Sequence, residues 1–408
     1  MNAFSTPTVV QQKVLKSVGL IAMIMVFNMT APLSTDMYLP AFPTLLTEFS
    51  TTSAMLNYTL VGFFICFALG MLVFGAVSDK MGRKPLLLFG VGLYGLASWG
   101  CAGVGTVEGL IIFRLLQAVG AGCMVSVTTA IIKDSFNDEA RPKIIATLQM
   151  LGVLAPTIAP GIGAFLMDYF SWRATFYLLA FFSVIMFVLT LLYTESLPKS
   201  KRFQGNVFMS LTGLWRVYKD KKFSLFLACT SLTSLIYMAF IAISSYIYIS
   251  HFGLSKGAYG LYFALNSLVL VVGPIVYLRF GQTARHSRLL LYIFGGIFCA
   301  GLAMITVGWW HPLVFYFCFL PVTFFGSFLR AFSTNILLSQ HDQAAGATAS
   351  VINFTNTAVG SLGMVIGALS WSSYIFGLGV IMSAAAALSL FLWYVFRKKG
   401  YTLRGLRL

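Results

Sequence analysis

The chain is short of charge. Only 9% of its 408 residues are Asp, Glu, Lys or Arg, where a soluble domain carries roughly a quarter. Acid is scarcer than base, with 11 Asp and Glu against 27 Lys and Arg. So little polar surface cannot cover a water-soluble particle, and with 59% hydrophobic residues the solvent for most of the chain is lipid. Histidine is rare: His251, His286, His311 and His341 stand apart, without the spacing of metal ligands. Six cysteines lie singly within apolar runs and read as small packing residues rather than a zinc or redox pair. No Gly-Lys dipeptide occurs, which excludes a phosphate-binding loop and direct use of ATP. With no metal cluster or paired catalytic carboxylates, no enzyme and no bound cofactor are expected.

What is present is apolar sequence in lengths that cross a bilayer. Twelve such runs fall at about 17–42, 53–77, 86–105, 108–133, 142–167, 174–193, 222–249, 256–279, 288–308, 312–337, 345–369 and 373–396. The expected fold is an all-α membrane protein with twelve transmembrane helices in two six-helix halves. Residues 1–198 form the first half, 199–221 a basic linker and 222–408 the second half. Phe208, Leu211, Leu214 and Trp215 give that linker the pattern of an interfacial helix, with an irregular linker as the rival reading. The net charge of +16 sits in alternate loops, a topology signal and not a nucleic-acid patch. Positive charge stays inside, so both termini are expected in the cytoplasm.

Four motifs carry more. The loop after the second span reads Gly75-Ala-Val-Ser-Asp79-Lys-Met-Gly82-Arg83-Lys84. Its glycines permit a tight turn, Asp79 can pair with cations, and Arg83 can cap a facing helix end, which together make a latch. Arg279 to Arg288 is a degenerate echo in the second half, without the acid. In the fourth span, Arg114 and Gln117 share a face with Gly120 and Gly122 following. An arginine at this depth costs at least about 2.5 kcal/mol and needs a partner or a wet cavity. In the fifth span, Gly152, Pro156 and Pro160 recur on one face, with Gly161 and Gly163 after them. That helix is expected to bend and press on a neighbour. The first span ends Ser34-Thr-Asp36-Met-Tyr38-Leu-Pro40-Ala-Phe-Pro43. Asp36 is the one carboxylate not assigned to a loop or helix end, although spacing alone also allows it the outer interface.

These motifs resemble the major facilitator superfamily. The first matches its loop signature. The second matches R-x-x-Q-G-x-G, with Ala118 where Gly is usual, and the third matches the antiporter motif of its drug exporters. The phrase around Asp36 resembles the Bcr/CflA branch of drug:proton antiporters, named for bicyclomycin and chloramphenicol resistance. The resemblance implies two pseudo-symmetric halves, a substrate site between them near the midplane, and Asp36 within the central cavity as proton carrier. Arg114 would be its coupling partner. A carboxylic acid out of water loads a proton more readily and a nearby cation opposes this, the tuning a carrier needs. Asn28, two turns before Asp36, stands where some relatives carry a second acid. Substrate contacts are expected from Asn28, Asp36, Tyr38, Gln117, Met150, Tyr237, Phe240 and Asn356. Arg330 is read as snorkelling towards the inner surface. The expected activity is export of diverse lipophilic compounds, driven by the proton gradient and working as a monomer in the bilayer. The alternative is a dedicated exporter of one endogenous metabolite.

Overall fold

The computed structural model describes residues 12, 14–137, 144, 154–202, 215, 217–281, 286–340 and 345–406. Among them, eleven helical stretches are long and apolar enough to cross a membrane. The first six helices are α1 (Lys16–Asp36), the short α2 (Phe42–Glu48), α3 (Ser53–Met81), α4 (Arg83–Gly103), α5 (Val107–Ser135) and α6 (Leu154–Tyr169). Then come α7 (Arg173–Leu192), α8 (Lys221–Ser245), α9 (Lys256–Val276), α10 (His286–Val307), α11 (Pro312–Leu338), α12 (Ala345–Gly367) and α13 (Tyr374–Lys398). Helix α6, with 16 described residues, falls on the expected fifth span. The helices start where the sequence offers caps. Thr106 accepts from the Gly109 amide, Asp220 from Lys222 and Phe223, and Ser255 from Ala258.

The first span departs from expectation. Its helix stops at Asp36, a 3-10 turn covers Leu39–Ala41, and α2 carries the span on to Glu48. Pro40 and Pro43 lack the amide donors that a continuous helix would use here. π-helical turns end α8 at Tyr246–His251 and α9 at Tyr277–Gly281. In the linker, Trp215 is helical and exposed, while Phe208, Leu211 and Leu214 lie outside the described residues.

The chain divides into two compact units. Unit 1 comprises residues up to Thr51 and Tyr58–Val207, and unit 2 comprises Thr52–Asn57 and Phe208–Leu408. In unit 1, α4 packs on α5 and α7, while α1 packs on α5, α6 and α7. In unit 2, α10 packs on α11 and α13, α8 on α12, and α9 on α11. Counted by span, third on fourth, third on sixth and first on fifth recur in both units, the mark of an internal repeat. Glycine permits the closest approaches. A Cβ on Gly120 would stand 2.7 Å from the Gly90 carbonyl of α4, and one on Gly122 2.5 Å from the Phe67 carbonyl of α3. The fourth-span motif therefore lets α5 touch two neighbours at once.

Candidate functional site

Within unit 1, two polar clusters stand out. The first surrounds Arg114, which α5 places at 0% exposure. Its Nη1 donates to the Ser34 carbonyl at 2.9 Å and to Gln117 Oε1 at 2.6 Å. Gln117 Nε2 donates in turn to Ser98 Oγ at 2.8 Å, and Ser34 Oγ pairs with the Tyr94 hydroxyl at 2.7 Å. Aromatic faces supply the rest of the cage. The guanidinium carbon lies 4.2 Å from the Phe63 centroid, 5.0 Å from Tyr38 and 6.0 Å from Phe176. Ring quadrupoles attract a cation without carrying charge. Nε and Nη2 of Arg114 have no hydrogen-bond partner among the described residues.

Asp36 sits at the C-terminal end of α1, 4% exposed, with Thr35 Oγ1 donating to its Oδ1 at 3.0 Å. The helical stretch continues past it to Glu48, and Asp36 is buried among the helices of its unit. Arg114 acts on it electrostatically, yet no ion pair joins them among the described residues. Helix α6 backs onto this spot. A Cβ on Gly163 would collide with the backbone carbonyl of Met37, the residue after Asp36, whereas Gly161 has nothing within 4 Å. Gly163 thus makes the close approach expected of the Pro156 and Pro160 face. Pro160 is buried, Pro156 is half-buried, and Gly152 and Met150 lie outside the described residues.

The second cluster is the latch. Gly82 adopts φ 102°, a conformation open to glycine, and turns the chain from α3 into α4. Arg83, 3% exposed, bonds Asp134 at 2.8 Å and Asp79 at 2.7 Å, and it also donates to Ser78 Oγ. The Glu195 carboxylate accepts from the backbone amides of Arg83 at 3.1 Å and Lys84 at 3.0 Å, capping α4. Lys84, rather than Arg83, reaches the facing helix end, donating to the carbonyls of Leu191 and Tyr193 at 2.7 and 2.8 Å. Gly75 faces α5, where a Cβ would stand 2.9 Å from Ser126 Oγ. Asp134 and Glu195 complete a site the motif does not contain. Their signal in the sequence is charge: each is an acid at or just beyond the end of an apolar run, with cations nearby. The echo in unit 2 runs partly outside the described residues, and its Arg279 is exposed.

The remaining expected contacts separate. Tyr38 is buried, hydrogen-bonded to Thr59, and braces Arg114; Gln117 is likewise buried. Asn28 donates to the Ile24 carbonyl at 2.8 Å and to Thr128 at 3.3 Å. In unit 2, Phe240 is core, stacked on Phe319 at 4.1 Å. Tyr237 and Asn356 are half-buried, and Ser234 donates to Asn356 Oδ1 at 3.4 Å.

Comparison with known proteins fits this picture. Multidrug resistance protein MdtL of Shewanella oneidensis is 33% identical over 192 residues. That match covers 44% of this chain and 48% of MdtL, about half of its length. The bicyclomycin resistance protein homolog of Haemophilus influenzae is 24% identical over 346 residues, 83% of this chain and 85% of its own. A solved D-xylose–proton symporter superposes with a TM-score of 0.70 at 15% identity, covering 91% of this chain and 96% of its own. That is a likeness of fold alone. The sequence profile of the Major Facilitator Superfamily matches residues 24–368, and the chain belongs to that family of multi-pass secondary transporters of small molecules, which are not enzymes.

Proposed function

We infer that this protein exports structurally diverse lipophilic compounds, such as chloramphenicol- or bicyclomycin-type antibiotics, in exchange for protons. The observation that carries the reading is Asp36: a carboxylate buried within a span, held by Thr35, acted on by Arg114 yet not ion-paired to it. Such a group can bind and release a proton without breaking a salt bridge. The resistance names of the two relatives support efflux. The basic loops support an inner-membrane protein with cytoplasmic termini. No cofactor is needed, since the proton gradient is the energy source, and one unit pair suffices as a monomer.

Asp36 exchanges one proton per substrate. Export of a neutral compound then moves one positive charge inward, worth about 2.3 kcal/mol per 100 mV. Asp36→Asn keeps the hydrogen bond to Thr35 but carries no proton. In inverted vesicles it is expected to lose substrate accumulation and substrate-evoked proton release while melting in detergent like the wild type. Accumulation against a gradient by Asp36→Asn overturns the assignment. Potential-independent transport of a neutral drug overturns the stoichiometry.

A further inference from the structure

Unit 2 contains an arginine with no acid paired to it among the described residues. Arg330 lies on α11 about eight residues before Leu338, or about 12 Å of helix from that end. Its surface is exposed, and no hydrogen bond or ion pair holds its guanidinium among the described residues. The acids between Phe208 and Leu408 are Asp220 and Asp342 alone. Asp220 caps the start of α8, and Asp342 follows the end of α11, so no span of unit 2 carries a carboxylate.

Arg330 interacts electrostatically with Tyr237 of α8, which stands near the middle of the continuous span Lys221–His251. Gly326, one turn from Arg330, faces Thr233, one turn from Tyr237, with 3.8 Å between a Gly326 Cβ and the Thr233 Cβ. On the other flank of that turn of α8, Ser234 holds the carbonyl oxygen of Asn356. The Asn356 amide nitrogen donates to no acceptor among the described residues. Two unused donors, one of them charged, thus flank the Tyr237 turn. The Tyr237 ring adjoins Phe240 at 6.4 Å, giving the donors an apolar neighbour.

We propose that Arg330, with Asn356 beside the Tyr237 turn, forms a subsite for the acceptor group of the substrate, an anionic or strongly polar oxygen group on an apolar body. A carboxylate offers the paired oxygens that a guanidinium binds best. This rests on the export reading and narrows it: acceptor-bearing compounds are favoured and cations disfavoured, since a substrate ammonium would meet a like charge.

Three dyes with one fluorophore test it: dansylglycine, its amide, and the dansyl derivative of ethylenediamine, which are an anion, a neutral acceptor and a cation. Binding to purified protein is read from dansyl fluorescence. Wild type is expected to bind the anion at least about tenfold more tightly than the cation, the scale of one charged hydrogen bond. Arg330→Gln is expected to bring the three within about threefold, and Arg330→Lys to restore part of the preference. Asn356→Ala is expected to weaken the anion and the amide together. Equal or tighter binding of the cation by wild type overturns the proposal, as does a preserved order in Arg330→Gln. Loss of the preference in Asp36→Asn also overturns it, because Arg330 would then serve Asp36 and not the ligand. If the dye order holds but proton release is not substrate-evoked, the subsite stands and proton-coupled export falls.

Discussion

Arg83 and Arg114 are both buried arginines of unit 1, at 3% and 0% exposure, and they are compensated in opposite ways. Arg83 meets two carboxylates, Asp79 and Asp134. Arg114 meets a carbonyl, an amide oxygen and three rings. A buried cation needs compensation, but full charges and dipoles do different jobs. Opposite full charges make a joint, because separating them strands a charge in a poor solvent. Dipoles and ring faces hold the cation while leaving a nearby acid uncommitted. The first arrangement suits a latch between helices, and the second suits a cation that acts on Asp36 across space.

The contrast is expected to break hardest at Arg83. Arg83→Met strands Asp79 and Asp134. Removing one partner of a buried pair costs about 3–5 kcal/mol, and the 54% exposed Asp79 side chain pulls this towards the lower figure. The variant is expected to melt lowest in detergent and to turn over slowly, with substrate affinity spared. Wild-type melting would mean the latch is no electrostatic joint.

A smaller effect is expected behind Asp36. Gly163→Ala drives a methyl into the Met37 carbonyl, a backbone atom with little room to yield. Overpacking of this kind costs about 1–3 kcal/mol. Gly161→Ala, two residues away in open space, is the control and should stay within about 0.5 kcal/mol. Thermal melts of the pair decide it, and equal melting would remove Gly163 from the support of Asp36.

The smallest change in stability is expected at Arg114. Arg114→Met replaces a cation that neutralises no carboxylate with an apolar chain, which should alter stability by about 1 kcal/mol or less. Substrate-evoked proton release should nonetheless disappear. A badly destabilised Arg114→Met protein would show that both arginines are structural joints, and the comparison would collapse.

Much of this was legible beforehand. Helix positions followed from apolar run length, because lipid forces backbone hydrogen bonds to close within each span. The latch motif announced itself through Gly82 and Arg83. Its partners did not, since Asp134 and Glu195 lie 51 and 112 residues away from Arg83. The capping role expected of Arg83 fell to Lys84: two cations side by side in sequence face different elements once α4 begins. The fifth span shows the same limit. Its prolines drew notice for one helical face, yet contact with Met37 falls to Gly163, because the distance to α1 depends on how the two helices cross.

The sequence by itself determined that the chain spans a membrane many times, that its fold is all-α, and that few charges lie deep within it. Those are properties of solvent and of residues near each other along one helix. Tertiary structure alone decided which charges meet. It gave Arg83 two carboxylates, gave Arg114 Phe63 and Phe176, and buried Asp36. Compensation of a buried charge acts over a few ångströms in space, and separation along the chain carries no record of that distance.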